Sequence, residues 1–76
     1  MRYSEGNVDY RVERTGNSTP TWIVSLIDNR PSWTNTYYPI YSEFLPSYRA
    51  GLALVGRLRL IPNIETLSPR QIETMK

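Results

Sequence analysis

Two stretches near the start of the chain have the apolar pattern of β-strands. In residues 8–13, valine and tyrosine alternate with charged side chains, and this period of two predicts a strand with one exposed face. Residues 22–27 read Trp-Ile-Val-Ser-Leu-Ile, with apolar side chains on both faces, which favours a central strand. Because turn-forming residues fill 15–20, we expect the two runs to pair as an antiparallel hairpin.

A third run, at 33–41, is also rich in residues that favour strands, and it follows a second turn at 28–32. Pro39 lacks a main-chain N–H, so we expect this strand to lie at an edge of the sheet or to bulge there. The first part of the chain therefore predicts three consecutive strands.

After residue 42 the apolar spacing changes from a period of two to that of a helix. Ser42 is the predicted N-cap, and the helix is predicted from about 43 to 58. The residues predicted to face the core are Phe44, Tyr48, Leu52 and Val55, with Leu58 next. The small residues predicted to let this helix approach the sheet closely are Ala50, Gly51, Ala53 and Gly56. Residues 57–61 fit either the end of the helix or a short strand, since leucine and arginine alternate there.

A second helix is predicted to begin at Pro69. Ser68 at the N-cap and Gln71 three residues later match a capping box, and proline is favoured at the first helical position. A helix of about two turns is marginal by itself in water. This segment therefore either docks on the core or becomes ordered on a partner. The apolar residues available for docking are Leu67, Ile72 and Met75.

These elements predict a single α+β domain that spans residues 1–76. The expected architecture is a small antiparallel three-stranded sheet (β-β-β), followed by a packed helix and a short C-terminal helix. This frame is similar in outline to the arm-binding domains of phage-type integrases, and the likeness implies a sheet that enters the major groove of DNA. The first strand departs from such readers, because Asp9 and Glu13 stand beside Arg11 where a DNA-binding face needs cations.

The chain has no cysteine and no histidine, which excludes several kinds of chemistry. It can form no disulfide, no Cys/His zinc site, and neither a Ser-His-Asp nor a Cys-His catalytic arrangement. No acidic cluster resembles a calcium or magnesium loop, and no motif indicates a cofactor. We therefore predict that the protein is not an enzyme and uses no metal or cofactor. A hydrolase built on paired carboxylates is the remote alternative.

Two groups of residues are candidates for binding a partner. Eight of the nine basic residues are arginines, and together with six tyrosines and two tryptophans they supply the residue types that dominate binding hot spots. The first predicted surface consists of Arg30, Trp33, Tyr37, Tyr38 and Tyr41. The second consists of Arg49, Arg57 and Arg59, with Arg70 nearby. Two alternatives stay open: the helix covers the aromatic rings, and the arginines form only a solvated helix face.

Size and composition favour a protein partner. The net charge of +2 is too small to indicate nucleic acid by itself. The chain resembles, in length and composition, the small accessory proteins with which phages and mobile elements block host machinery, such as anti-CRISPR proteins. That resemblance implies an inhibitor that masks a surface of a host protein or complex. We predict a non-catalytic protein-binding module, and a small nucleic-acid-binding module that uses the sheet and the arginines is the alternative.

The remaining expectations concern location and assembly. No apolar run approaches the roughly 18–20 residues that cross a bilayer, and residues 1–6 lack the apolar segment of a signal peptide. We therefore expect a cytoplasmic protein without a membrane partner. A chain of 76 residues buries a limited core, so a protein partner or a homodimer is an expected source of extra stability.

Overall fold

A computed structural model describes residues 1–16, 21–29 and 39–76 of the chain. The described part contains an antiparallel sheet and two α-helices, so the predicted α+β class is confirmed. The strands are β1 (Arg2–Glu5), β2 (Val8–Arg14), β3 (Trp22–Asp28) and β4 (Pro39–Leu45). The helices are α1 (Tyr48–Leu58), a short 3-10 helix (Ile64–Thr66) and α2 (Pro69–Met75). No helix in these three ranges is long and apolar enough to cross a membrane.

The sheet has four strands rather than the predicted three, in the order β1-β2-β3-β4. The additional strand, β1, pairs antiparallel with β2 through the two-residue loop Gly6-Asn7. Gly6 adopts a positive φ of 60°, which glycine tolerates and which a tight hairpin of this kind requires at its first loop position. All four residues of β1 are exposed, so this strand is held by main-chain pairing rather than by buried side chains.

The predicted hairpin of β2 and β3 is confirmed, and its alternation separates two faces of the sheet. Val8, Tyr10 and Val12 are buried on the face that the helices cover, and Val24 and Leu26 lie opposite them on β3. Residues 23 and 27 lie on the second face and are partly exposed, as expected for a central strand with apolar side chains on both sides. Residues 17–20 of the predicted turn lie outside the described part of the chain.

The predicted boundary between the third strand and the first helix is wrong. Residues 33–38 of the predicted strand are not among those described, but β4 continues through Leu45, so Phe44 is a strand residue and is 65% exposed. The helix begins at Tyr48, and its N-cap is Ser47 rather than Ser42. Pro46 explains the delay, because a proline forces the preceding residue into an extended conformation. The Ser47 hydroxyl then accepts the Ala50 N–H at 3.1 Å.

One glycine sets how closely α1 approaches the sheet. A Cβ atom on Gly51 would lie 2.8 Å from Cγ1 of Val12 and 3.4 Å from Cγ2 of Val24. The backbone of α1 therefore rests directly on the side chains of β2 and β3, as predicted for this position. Residues of α1 buried with it are Leu54, Val55 and Leu58. The helix ends at Leu58, and 59–60 form a turn, so the strand alternative for 57–61 is wrong.

The predicted C-terminal helix is confirmed at its first residue. Ser68 accepts the main-chain N–H of Gln71 at 3.3 Å, and the Gln71 side chain accepts the Ser68 N–H at 2.8 Å. This reciprocal capping box satisfies donors that a helix start leaves free. Ile72 is fully buried in the common core, while Met75 is half exposed. The docked alternative is therefore correct, with Ile72 as its anchor.

A polar cluster lies on the second face of the sheet. Asp9 is buried, and its Oδ1 accepts hydrogen bonds from the Ser4 hydroxyl at 2.7 Å and the Asn29 amide at 2.9 Å. The Asp9 Oδ2 lies 3.6 Å from the Arg2 guanidinium and 3.8 Å from that of Arg11. Ser4 and Asn29, and to a lesser extent Arg2, hold the pKa of Asp9 below its ordinary value of 3.8, although burial opposes them. The carboxylate thus ties β1 and the end of β3 to β2.

This cluster predicts an acid-sensitive contribution to stability. The pKa of Asp9 is lower in the folded than in the unfolded chain, so its contribution is complete above about pH 4 and is lost as pH falls through the folded value. We expect the free energy of unfolding of Asp9→Asn to fall less than that of the parent between about pH 6 and about pH 2.5. Urea titrations at both pH values measure the difference. An equal acid-induced loss in the two proteins would contradict this role of Asp9.

Candidate functional site

Most of the predicted aromatic surface cannot be placed. Arg30, Trp33, Tyr37 and Tyr38 lie outside the described residues, and their predicted role stays a prediction. Tyr41 is described, and it points into the core on the covered face of β4. It is therefore one of the tyrosines that pack inward, and its ring is not available on the surface.

The hydroxyl of Tyr41 joins β4 to α2. It lies 2.6 Å from Oε1 of Glu43 and 2.7 Å from Oε2 of Glu73, and it accepts a hydrogen bond from the Lys76 ammonium at 2.9 Å. Lys76 also pairs with both carboxylates. Burial, followed by the hydrogen bond and charge of Glu73, raises the pKa of Tyr41 to about 12. The hydroxyl stays protonated and donates to one carboxylate at a time, so the cluster holds α2 against the sheet.

The three predicted arginines do not form one stripe. Arg59 turns back to β1, where its Nε donates to Glu5 at 3.2 Å and its NH2 group donates to the Tyr3 hydroxyl at 3.0 Å. Its guanidinium also lies 4.5 Å from the centre of the Tyr3 ring. The hydrogen bond to Glu5 is the main reason that the pKa of Arg59 is raised. Arg59 therefore braces the end of α1 against β1.

Arg49 and Arg57 do share one surface, the side of α1 that faces away from the sheet. We call this surface the α1 outer face. Its exposed residues are Arg49, Leu52, Ala53, Gly56, Arg57 and, just beyond the helix, Leu60. Positions 49, 53, 56 and 60 follow one another at helical spacing, which aligns them along the surface. The sequence of α1 contains no acidic residue, so its only charges are positive.

The α1 outer face is apolar between its two arginines and again just beyond Arg57. Leu60 is 82% exposed and Leu52 is 38% exposed. Apart from its two chain neighbours and the adjacent backbone of α1, no heavy atom of the described residues lies within 4 Å of the position that a Cβ on Gly56 would take, and the φ of this glycine is not positive. Neither packing inside the described part of the chain nor backbone conformation thus requires glycine at position 56.

This arrangement corrects the predicted orientation of the helix. Leu52 was expected to face the core, and Ala53 and Gly56 were expected to contact the sheet, but all three are exposed. Leu54, which was not assigned to the core face, is fully buried instead. The predicted helical face was counted from Phe44, which belongs to β4 and not to the helix. The set of residues assigned to the core was therefore rotated around the axis of α1 relative to the set that is buried. Gly51, Val55 and Leu58 were assigned correctly, because they lie on the true buried face.

The described part of the chain contains no arrangement of side chains for metal binding. Among residues 1–16, 21–29 and 39–76, no group of three or more acidic side chains is placed to hold a metal ion. Comparison of the chain with protein-family models, with curated proteins and with solved structures found no match.

Proposed function

We propose that this protein is a non-catalytic protein-binding module that docks through the α1 outer face. The partner surface combines apolar side chains with carboxylates. The observation that carries the proposal is the 82% exposure of Leu60 next to Arg57. Complete burial of a leucine side chain contributes about 1.5–3 kcal/mol to association, and partial burial of Leu52 adds to it. An apolar anchor beside an arginine is a common composition of binding hot spots.

The charges of the α1 outer face favour an acidic partner. Arg49 lies in the first turn of α1 and Arg57 in the last, and no acidic residue of the helix neutralises either. A guanidinium can form two parallel hydrogen bonds with one carboxylate, which fixes orientation as well as distance. Complementary charge also accelerates association. Two carboxylates placed about two helical turns apart, or about 12 Å, would therefore match this face.

The distribution of apolar groups favours a protein over a nucleic acid. Leu52, Ala53 and Gly56 occupy the surface between the two arginines, and they offer a phosphate backbone no favourable contact. A nucleic-acid interface of this length needs cations along it, since affinity grows with the number of phosphates neutralised. A protein docked here would have part of its own surface masked, which is how a small inhibitor acts without catalysis.

The test compares the parent protein with Leu60→Ser as full-length baits in a nuclease-treated lysate of the source organism. We expect a protein that the parent bait retains to be depleted about tenfold or more on the variant, because the variant loses the apolar anchor. Leu60 is largely exposed, so the variant should keep its thermal stability to within about 0.5 kcal/mol. Quantitative mass spectrometry of the retained fractions measures the ratio.

Matched arginine variants supply the controls for this experiment. Arg49→Gln is expected to weaken retention, whereas Arg14→Gln removes an exposed arginine at the end of β2 and should leave it unchanged. Retention in an untreated lysate that is absent from the nuclease-treated one would identify the nucleic-acid alternative instead. Equal retention by the parent and Leu60→Ser would overturn the assignment of the α1 outer face.

A further inference from the structure

A groove lies on the opposite side of the molecule's core from β1, between β4 and α2. Its volume is about 530 Å³. One wall consists of the consecutive β4 residues 39–42, and the other is one face of α2: Pro69, Arg70, Glu73 and Thr74. We call it the β4–α2 groove. Because a strand rises about 3.3 Å per residue, the β4 wall is about 13 Å long, enough for about four residues of an extended chain.

The strand that forms this wall is an edge strand of the sheet. β4 pairs with β3 on one side only in the described structure. In an antiparallel ladder, successive residues direct their N–H and C=O groups alternately to the two sides. Met1 and Val12 exchange both main-chain hydrogen bonds, at 2.8 Å each. This pair shows which residues of β2 direct their main-chain groups to β1, and the strand registers extend the same phase of alternation to β3 and β4.

That phase identifies the unpaired groups of β4. Val12 directs its main-chain groups to β1, so its partner on β3, Val24, directs its own to β4. Tyr41 and Glu43 therefore direct their main-chain groups to β3. Ser42 and Phe44 therefore direct theirs to the free edge. None of the main-chain or side-chain hydrogen bonds found among the described residues involves the N–H or C=O of these two residues on that edge. Such a row of unpaired donors and acceptors is a template for another strand.

The charges around the groove indicate a neutral main chain as the ligand. Its walls carry one cation, Arg70, and one anion, Glu73, and Glu73 is already bonded to Tyr41 and Lys76. A phosphate backbone would need an excess of positive charge that these walls do not supply. Peptide groups, in contrast, match the free N–H and C=O groups of the edge one for one.

We propose that the β4–α2 groove binds an extended segment of a protein partner, which adds to the sheet as a fifth strand beside β4. The segment exchanges main-chain hydrogen bonds with Ser42 inside the groove and with Phe44 just beyond its end on the same edge. Its side chains alternate between the wall formed by α2 and the open face of the sheet. This surface is separate from the α1 outer face, so the inference goes beyond the proposed function and stands or falls without it.

The test uses a capped peptide of about six residues that alternates valine and threonine, residues that favour strands. It is titrated to about 1 mM into the ¹⁵N-labelled full-length protein. We expect the amide resonances of Ser42 and Phe44 to shift, and hydrogen exchange at both amides to slow at least about tenfold when the peptide is bound. A peptide of the same sequence, N-methylated at alternate residues, should cause neither effect because it lacks the pairing N–H groups.

Two variants at one position separate main-chain pairing from side-chain contact. Ser42→Pro removes the N–H from the free edge, where proline is tolerated, and should abolish binding. Ser42→Val keeps the N–H and should bind like the parent. If Ser42→Pro does not fold, the N-methylated peptide alone decides the question. The proposal is overturned by an absence of shifts at about 1 mM, by equal shifts with the N-methylated peptide, or by dimers in sedimentation that already protect both amides.

Discussion

Replacement of Gly51 by valine is expected to lower the free energy of unfolding strongly. The new Cβ would lie 2.8 Å from Cγ1 of Val12, and the two γ-methyl groups would extend into the space that Val24 occupies. The α1 backbone must then move away from the sheet, which opens the core along its length. Overpacking of this kind costs about 3 kcal/mol or more, a large part of the stability of a domain this small. Urea denaturation followed by circular dichroism measures the loss.

Gly56→Ala is the matched control for this variant, because it changes another glycine of the same helix. A Cβ at position 56 meets no heavy atom within 4 Å. Alanine has the higher helix propensity, so this variant is expected to gain up to about 1 kcal/mol. The two substitutions should therefore move the urea midpoint in opposite directions. A destabilisation of similar size in both would show that α1 tolerates no larger side chain at either glycine, and would contradict contact with Val12 as the specific cause at position 51.

Truncation of Ile72 to alanine is expected to cost about 2–5 kcal/mol. Ile72 is fully buried, and it is the one residue of α2 in the core cluster of the described chain. The helix has seven residues and is too short to persist without docking. Its release would also separate Lys76 from Tyr41 and Glu43. Thermal denaturation gives the loss of stability, and the amide exchange of α2 reports whether the helix opens before the sheet.

Met75→Ala is the control for Ile72, since both residues lie on α2 and both lose apolar atoms. Met75 is about half exposed, so its truncation should change the free energy of unfolding by no more than about 0.5 kcal/mol. If the two truncations cost the same, α2 would be anchored by the polar contacts of Lys76 rather than by Ile72. The polar cluster would then replace Ile72 as the main support of the helix.

The local signals in the sequence were sufficient for several elements. The alternation at 8–13 identified β2 and the face that the helices cover, but not the burial of Asp9 on the second face. The capping box of Ser68 and Gln71 located the first residue of α2, because caps depend on a few adjacent residues. Both predictions succeeded where the determining interactions lie within one element or between neighbours in the chain.

The errors arose where distant parts of the chain decide the structure. β1 has little apolar character of its own, and its formation depends on pairing with β2. The dipeptide Gly6-Asn7 was the available signal, since glycine at the first position of a two-residue loop favours a hairpin. The start of α1 depends on Pro46 and Ser47, and the apolar spacing from Phe44 concealed both.

The candidate site could be predicted only in part for the same reason. The arginine content of α1 was visible in the sequence, and Arg49 and Arg57 do share an exposed face. The exposure of Leu60 was not visible, because it depends on where α1 ends relative to the sheet. The β4–α2 groove requires knowledge of which strand lies at the edge and where α2 docks. Neither follows from the pattern of a single segment.

The order of the strands in the sheet has a consequence for how the protein acquires its structure. Because the spatial order equals the order along the chain, each strand meets a neighbour that has just been formed. Contacts in the sheet are therefore local in sequence, a topology associated with fast folding. During synthesis, the hairpins can assemble one after another as they emerge. Ile72 follows every other residue of the core cluster in sequence, so the core closes only after α2 has been made.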